Sequence, residues 1–247
     1  MKRLVCVVLW AAMGCGASET EPTASAPTSG GGSGTSSAGG EWRASASPEP
    51  EARDDGFAVE GLDGTISPQA VEAGVSSVLP AITDCFAARY DALEVLSGDF
   101  TLGFRIARDG RVASVKLLQS TVGDRETERC IVRAARTIRF AKPTGGEADA
   151  SQSLGLDLPD DVRPPVAWPR ERGARLVSAN GGPSLKHRCG VESEVFVTAY
   201  VGRGGRPLAV GAAGDAEGTA LDCVAKAVSA WKFPDPGSYP AKVSFSF

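Results

Sequence analysis

Six cysteines, one histidine and thirty carboxylates are the groups with which this chain of 247 residues could do chemistry. The histidine, His187, stands between Lys186 and Arg188, just ahead of Cys189. No serine and aspartate frame accompanies it, as a nucleophilic triad requires. Asp109, Asp124, Asp160 and Asp161 fall at turns, at a helix start or in a linker, where a carboxylate caps backbone donors. No cysteine belongs to a CxxC pair, which argues against a redox centre, and one histidine beside paired cysteines leaves no zinc set. The glycine groups Gly30–Gly32 and Gly202–Gly205 lack the Lys-Ser/Thr of a phosphate loop. The expectation is a chain that is not an enzyme, with no catalytic residue, metal or cofactor. An enzyme with an unrecognised site is the third alternative.

The cysteines make more sense as staples. Cys130 and Cys223 each stand ten residues before a phenylalanine, Phe140 and Phe233, and each follows a Gly-Arg pair, at Gly110 and Gly205. The stretches Gly110–Phe140 and Gly205–Phe233 are therefore two copies of one unit, differing by a short loop deletion. Four cysteines in two repeats predict two bridges, Cys85 with Cys130 and Cys189 with Cys223. Cys6 precedes them in an apolar run, and Cys15 is left over.

The first repeat supplies elements that would hold such a bridge. Ser67-Pro68 is a helix start. Val71, Val75, Val78, Leu79, Ile82, Cys85 and Phe86 follow at helical spacing, with Pro80 inside the pattern to kink or split it. Phe100, Leu102, Phe104 and Ile106 alternate as a half-buried strand. Asp109-Gly110 turns the chain, and the return strand to about Gln119 buries Val115 and Leu117. Asp124 caps a second helix, expected to run to Arg139 with Cys130, Ile131, Ala134 and Ile138 inside. Its glutamates come early and its arginines late, the order that suits the helix dipole. Leu154, Leu156 and Leu158 alternate as a third strand.

The second repeat reads the same way from fewer residues. Pro183 starts a two-turn helix ending near Cys189, read as the remnant of a longer one. Val195, Val197, Ala199 and Val201 make a strand, Gly204-Gly205 a turn, and Leu208 and Val210 the return. Asp215 or Thr219 opens a helix with Cys223, Val224, Ala227, Val228 and Trp231 inside, and Val243, Phe245 and Phe247 close the sheet. The expected class is α+β, two two-layer modules of helix, hairpin, helix and strand, the second shortened at its first helix.

Lys2 and Arg3 before the apolar run Leu4–Met13 read as an export signal, too short to span a bilayer. Ala12-Met13-Gly14-Cys15 resembles a bacterial lipobox, which implies acylation of Cys15; cleavage after Gly14 or Ala17 without acylation is the alternative. Residues 1–14 are thus assigned to the signal peptide. Residues 15–61 form the lipidated cysteine and a Gly, Ser, Pro and acid-rich tether reaching roughly 35 Å. Residues 62–158 form the first module, 159–182 a proline-rich linker, and 183–247 the second module. A net charge of −4 argues against a nucleic-acid partner.

The residues FTLGFRI, DGR, VASVKLLQST and ERCIVRAARTIRF, with the Pro and Gly-Gly beyond them, resemble the C-terminal domain of the AgmX/PglI proteins of gliding bacteria. That domain is similar to the TonB C-terminal fold. The resemblance covers the first module with both its cysteines, and the second module more faintly. The membrane helix with which TonB proteins begin has no counterpart in this reading, so the resemblance implies a fold and a docking mode, not energy transduction. Together with the export signal and the lipobox-like Cys15, the expectation is a cell-envelope protein, anchored in the outer membrane by Cys15 and facing the periplasm. There it would be a scaffold or, alternatively, an adaptor of a gliding-motility or secretion complex, with envelope proteins as partners. TonB-like domains accept a partner strand at a sheet edge, which points to Ser153, Leu154 and Leu156 in one module and Val243, Phe245 and Phe247 in the other. The open alternative is that these edges pair with each other and that the two phenylalanines are core.

Overall fold

The computed structural model describes residues 64–247. The expected signal peptide, the expected acylation site Cys15 and the whole of the tether lie outside the described residues.

Ser67 caps α1 (Pro68–Ser76), its Oγ accepting the Ala70 N–H at 3.2 Å. Pro80 divides the long apolar pattern as expected. A second helix, α2 (Leu79–Ala87), starts with the proline in its first turn, where the missing N–H costs nothing. Two antiparallel strands follow, β1 (Gly98–Ile106) and β2 (Val112–Ser120), then α3 (Arg125–Ala135) and β3 (Ala148–Leu156). The order across the sheet is β2-β1-β3. Asp124 caps α3 as predicted: Oδ2 accepts from the Thr127 N–H at 3.0 Å and its hydroxyl at 2.7 Å, while Arg89 donates two bonds to the same carboxylate. The helix stops at Ala135, four residues short of the expected end, yet Ile138 and Phe140 remain buried as the chain turns back over the core. The third strand begins at Ala148, earlier than its leucines alone indicate, because Ala148–Ser153 is a polar edge whose alternation is too weak to read.

The second half departs from expectation in one respect. The stretch assigned as a linker, 159–182, holds a short strand β4 (Val166–Ala167) and a helix α4 (Arg170–Asn180), followed by α5 (Gly182–Arg188). The pair α4 and α5 stands where α1 and α2 stand in the first half, so the second copy has not lost its first helix. It went unseen because α4 buries only Gly173 and Leu176, follows a run of prolines and lacks a side-chain cap. Then come β5 (Val195–Gly202), a 3-10 turn (Arg203–Gly205), β6 (Arg206–Gly214), α6 (Gly218–Val228) and β7 (Ala241–Ser246), in sheet order β4-β7-β5-β6. The whole is α+β, with two open sheets that repeat one plan.

The repeat's Gly-Arg and Phe now have a physical reason. Gly110 has φ +85° and Gly205 φ +75°, a region other residues enter only under strain. Each glycine carbonyl accepts the N–H of the phenylalanine that ends the unit, Phe140 at 2.9 Å and Phe233 at 3.2 Å. A Cβ on Gly110 would lie 2.3 Å from the Phe140 carbonyl oxygen, while a Cβ on Gly205 would overlap the Phe233 carbonyl outright. The hairpin turn and the helix exit are therefore locked together backbone to backbone. Gly205→Ala is expected to cost about 2 kcal/mol. Neighbouring Gly204 shares the positive φ, +72°, but would meet nothing within 4 Å, so Gly204→Ala is expected to cost about 1 kcal/mol. Urea denaturation of the two variants would check the order.

Candidate functional site

Both expected disulfides are present, Cys85–Cys130 and Cys189–Cys223. The first joins α2 to α3 inside the core, with Cys85 2 % exposed; the second joins the end of α5 to α6. His187 is exposed on α5, Asp109 accepts the Arg111 N–H across its turn, and no group of three potential metal ligands occurs among the described residues.

The six edge residues differ in their surroundings. Leu154 and Leu156 are buried, and Ser153 is exposed with its Oγ 2.9 Å from that of Thr101 on β1. Val243 is buried, and Phe245 and Phe247 are partly buried against the second core, both ringed with Trp231 at centroid distances of 5.7 and 6.4 Å. The two phenylalanines therefore pack against the second core, while β3 and β7 lie in separate sheets and do not pair with each other. Strand β7 also has part of its outer side taken, since β4 runs parallel to Ala241 and Lys242 and the Trp168 N–H donates to the Lys242 carbonyl.

Strand β3 is different. Thr121 donates its N–H to the Asp99 carbonyl, so the odd-numbered residues of β1 turn their backbone groups toward β2 and the even ones toward β3. By the register Phe100↔Leu154 and Leu102↔Gln152, the outward backbone groups of β3 belong to Asp149, Ser151, Ser153 and Gly155. The Gln152 side chain donates to the Ser153 carbonyl at 3.1 Å. Gly64 and Thr65 cover the approach to this edge, bonding Glu147 and Thr144, and β3 has no strand on its outer side from Ala148 on among the described residues.

A second constellation, which the sequence reading missed, joins the two halves. Strand β6 is the edge of its sheet, and Ala212 points its N–H and C=O outward, toward α3. Glu128 Oε2 accepts that N–H at 2.9 Å, and Arg125 Nη1 donates to that carbonyl at 3.1 Å. The side-chain pair satisfies one residue of the exposed edge as a neighbouring strand would. Glu128 is wholly buried, with Ser120 Oγ donating to Oε1 at 2.8 Å and Arg125 3.4 Å from Oε2. Burial outweighs these partners and pushes its carboxyl up to about 7. Arg125 reaches further, donating to Asp222 at 2.7 Å and to the Gly218 carbonyl at 3.0 Å. The approach is close enough that a Cβ on Gly211 would stand 2.2 Å from Glu128 Oε1.

Beside it, Tyr200 is fully buried between the halves; its hydroxyl donates to the Ser97 carbonyl at 3.0 Å and accepts the Ser97 N–H at 3.1 Å. Lys242 Nζ donates to the same carbonyl at 2.7 Å. Burial raises the Tyr200 phenol to about 12 and lowers the Lys242 amine to about 8. These bonds carry no substrate geometry; they close the interface. The signal for it was in the strand itself: VFVTAYV is nearly continuous in apolar residues, the mark of a strand covered on both faces, whereas alternation credited only one face. No protein-family model matches the chain, and no curated protein matches it.

Proposed function

We propose that the chain is a non-catalytic interaction module of the bacterial cell envelope, whose partner adds a strand to the outer edge of β3. The observation that carries this reading is the row of outward backbone groups at Asp149, Ser151, Ser153 and Gly155, which no described strand pairs. Edge strands are commonly protected by proline, lysine or a bulge. The sequence ADASQSLGL has none of the first two and a single charge, and it pairs with β1 without a register break. The matching edge of β7 is less available because β4 and α4 lie against it. Two disulfides favour an oxidising compartment, in keeping with export and with an acyl anchor on Cys15.

The test is a photo-cross-linker placed at Ser153 in the full chain, with the captured partner identified. The variant Ser151→Pro/Ser153→Pro removes two outward N–H groups and, on an edge strand, spares the pairing with β1. Capture is expected to fall at least tenfold. Undiminished capture by a variant that melts as the parent does would reject the β3 edge.

A further inference from the structure

The opposite edge of the first sheet has a different chemistry. Strand β2 lies at that edge and meets the second half at two places: its far end, where Ser120 and Glu128 adjoin β6, and Lys116, whose Nζ donates to Asp215 Oδ1 at 2.6 Å. Residues Val112–Leu117 form the floor of an open cleft of about 630 Å³, walled by α3 on one side and by the start of α6 on the other. Helix α3 runs antiparallel to β2, since Arg111 bridges Arg139 at one end and Ser120 bonds Glu128 at the other. Its exposed face therefore presents Arg129, Arg133 and Arg136 in a row along the cleft. Arg129 is 3.8 Å from Asp222, whereas Arg133 and Arg136 form no ion pair with a described residue. The cleft's carboxylates are Glu217 and Asp222, at the α6 wall, and Asp222 already holds Arg125.

The floor is as specific as the wall. By the register Phe104↔Val115 and Leu102↔Leu117, the residues of β2 whose backbone groups turn away from β1 are Val115 and Leu117, and both line the cleft. Arginines at i, i+4 and i+7 rise about 6 and then about 4.5 Å along the helix. Alternate side chains of a strand are about 6.6 Å apart. A strand laid beside β2 would thus bring every second side chain to an arginine.

We infer that this cleft is a second docking site, and that its occupant is an extended, acidic polypeptide segment of another protein, with carboxylates at alternate positions. Charge complementarity selects the acid, because arginine pairs with carboxylates in a planar fork. The strand edge on the floor selects a polypeptide over a phosphate or a lipid surface, which would have no use for Val115 and Leu117. The site is independent of the β3 edge, on the far side of the sheet from it, and each can fail without the other.

The probe is a fluorescent nine-residue peptide alternating Glu and Thr, titrated by anisotropy onto the full mature chain at low salt. Binding is expected, weakened at least tenfold by Arg133→Glu/Arg136→Glu and equally by proline at alternate threonines of the peptide. The same peptide with Lys for Glu should not bind. Ser151→Pro/Ser153→Pro should leave the affinity unchanged, which separates this site from the β3 edge. Equal binding by the charge-reversed variant, or by the proline peptide, would overturn the inference. So would failure of the acidic peptide while phosphatidylglycerol vesicles bind through the same arginines, the result that would make the stripe a membrane contact.

Discussion

Arg125→Met is expected to destabilise the protein by about 3–5 kcal/mol at pH 8, the range for breaking a buried ion pair by removing one partner. The reason lies in what remains. Glu128, wholly buried, would keep its bonds from Ser120 and Ala212 but lose the only cation paired with it among the described residues, and the Ala212 and Gly218 carbonyls would lose their donor. Arg129→Met is the control: this side chain is exposed, its partner Asp222 is 3.8 Å away, and the loss should stay under about 1 kcal/mol. The pH dependence separates this interface from ordinary packing. An acid whose pKa is about 7 in the folded chain and near 4.5 when unfolded holds its proton more tightly in the native state. Its contribution is therefore greatest below pH 4.5 and is lost as the pH rises toward 7, by about 3 kcal/mol over that window. Glu128→Gln should flatten this slope, since an amide oxygen can still accept from Ala212 and the amide nitrogen can donate to Ser120 Oγ. In Arg125→Met the fall should continue above pH 7, because the cation that held the carboxyl down is gone. Urea midpoints between pH 4.5 and 8.5 would measure all three; a parent protein with no slope between pH 4.5 and 7 would show that Glu128 stays charged.

Why the sequence revealed the modules but not their interface follows from the length scale of each signal. Helix periods, the Asp124 cap, the Gly110 and Gly205 turns and the cysteine spacing are local, so a few residues suffice to read them. Helix α4 is local too, but its two buried positions leave almost no apolar stripe, and its tertiary contacts with β7 rather than its propensity hold it in place. The interface is a different case. Arg125 and Glu128 sit three residues apart and look like a solvated pair on a charged helix; only the arrival of Ala212, from another sheet, buries them. The β3 edge was legible in part: the leucines gave the strand, but they face the core, and the outward groups belong to the serines between them.

The disulfides lead to the other large effect, and the two should fail in different ways. By loop entropy, removing the bridge across 45 residues, Cys85→Ala/Cys130→Ala, costs about 4 kcal/mol, and removing the one across 34, Cys189→Ala/Cys223→Ala, costs nearly the same. What differs is the packing left behind. Helix α2 retains Ile82 and Phe86 in the core, so without its bridge it stays docked and the loss is global. Helix α5 has seven residues and buries only Gly182 and Leu185, and α4 before it adds Gly173 and Leu176. Without the bond to α6, this pair has too little apolar area to offset the entropy of ordering it. Cys189→Ala/Cys223→Ala is therefore expected to open α4 and α5 locally, with their amides exchanging at least tenfold faster than those of β5 and α6 under native conditions. Cys85→Ala/Cys130→Ala should lower the urea midpoint with no such selective loss in α1 and α2. Uniform exchange across the second half of the bridge-free variant would mean that α4 and α5 are held by packing alone, and that the second module depends on its cysteines no more than the first.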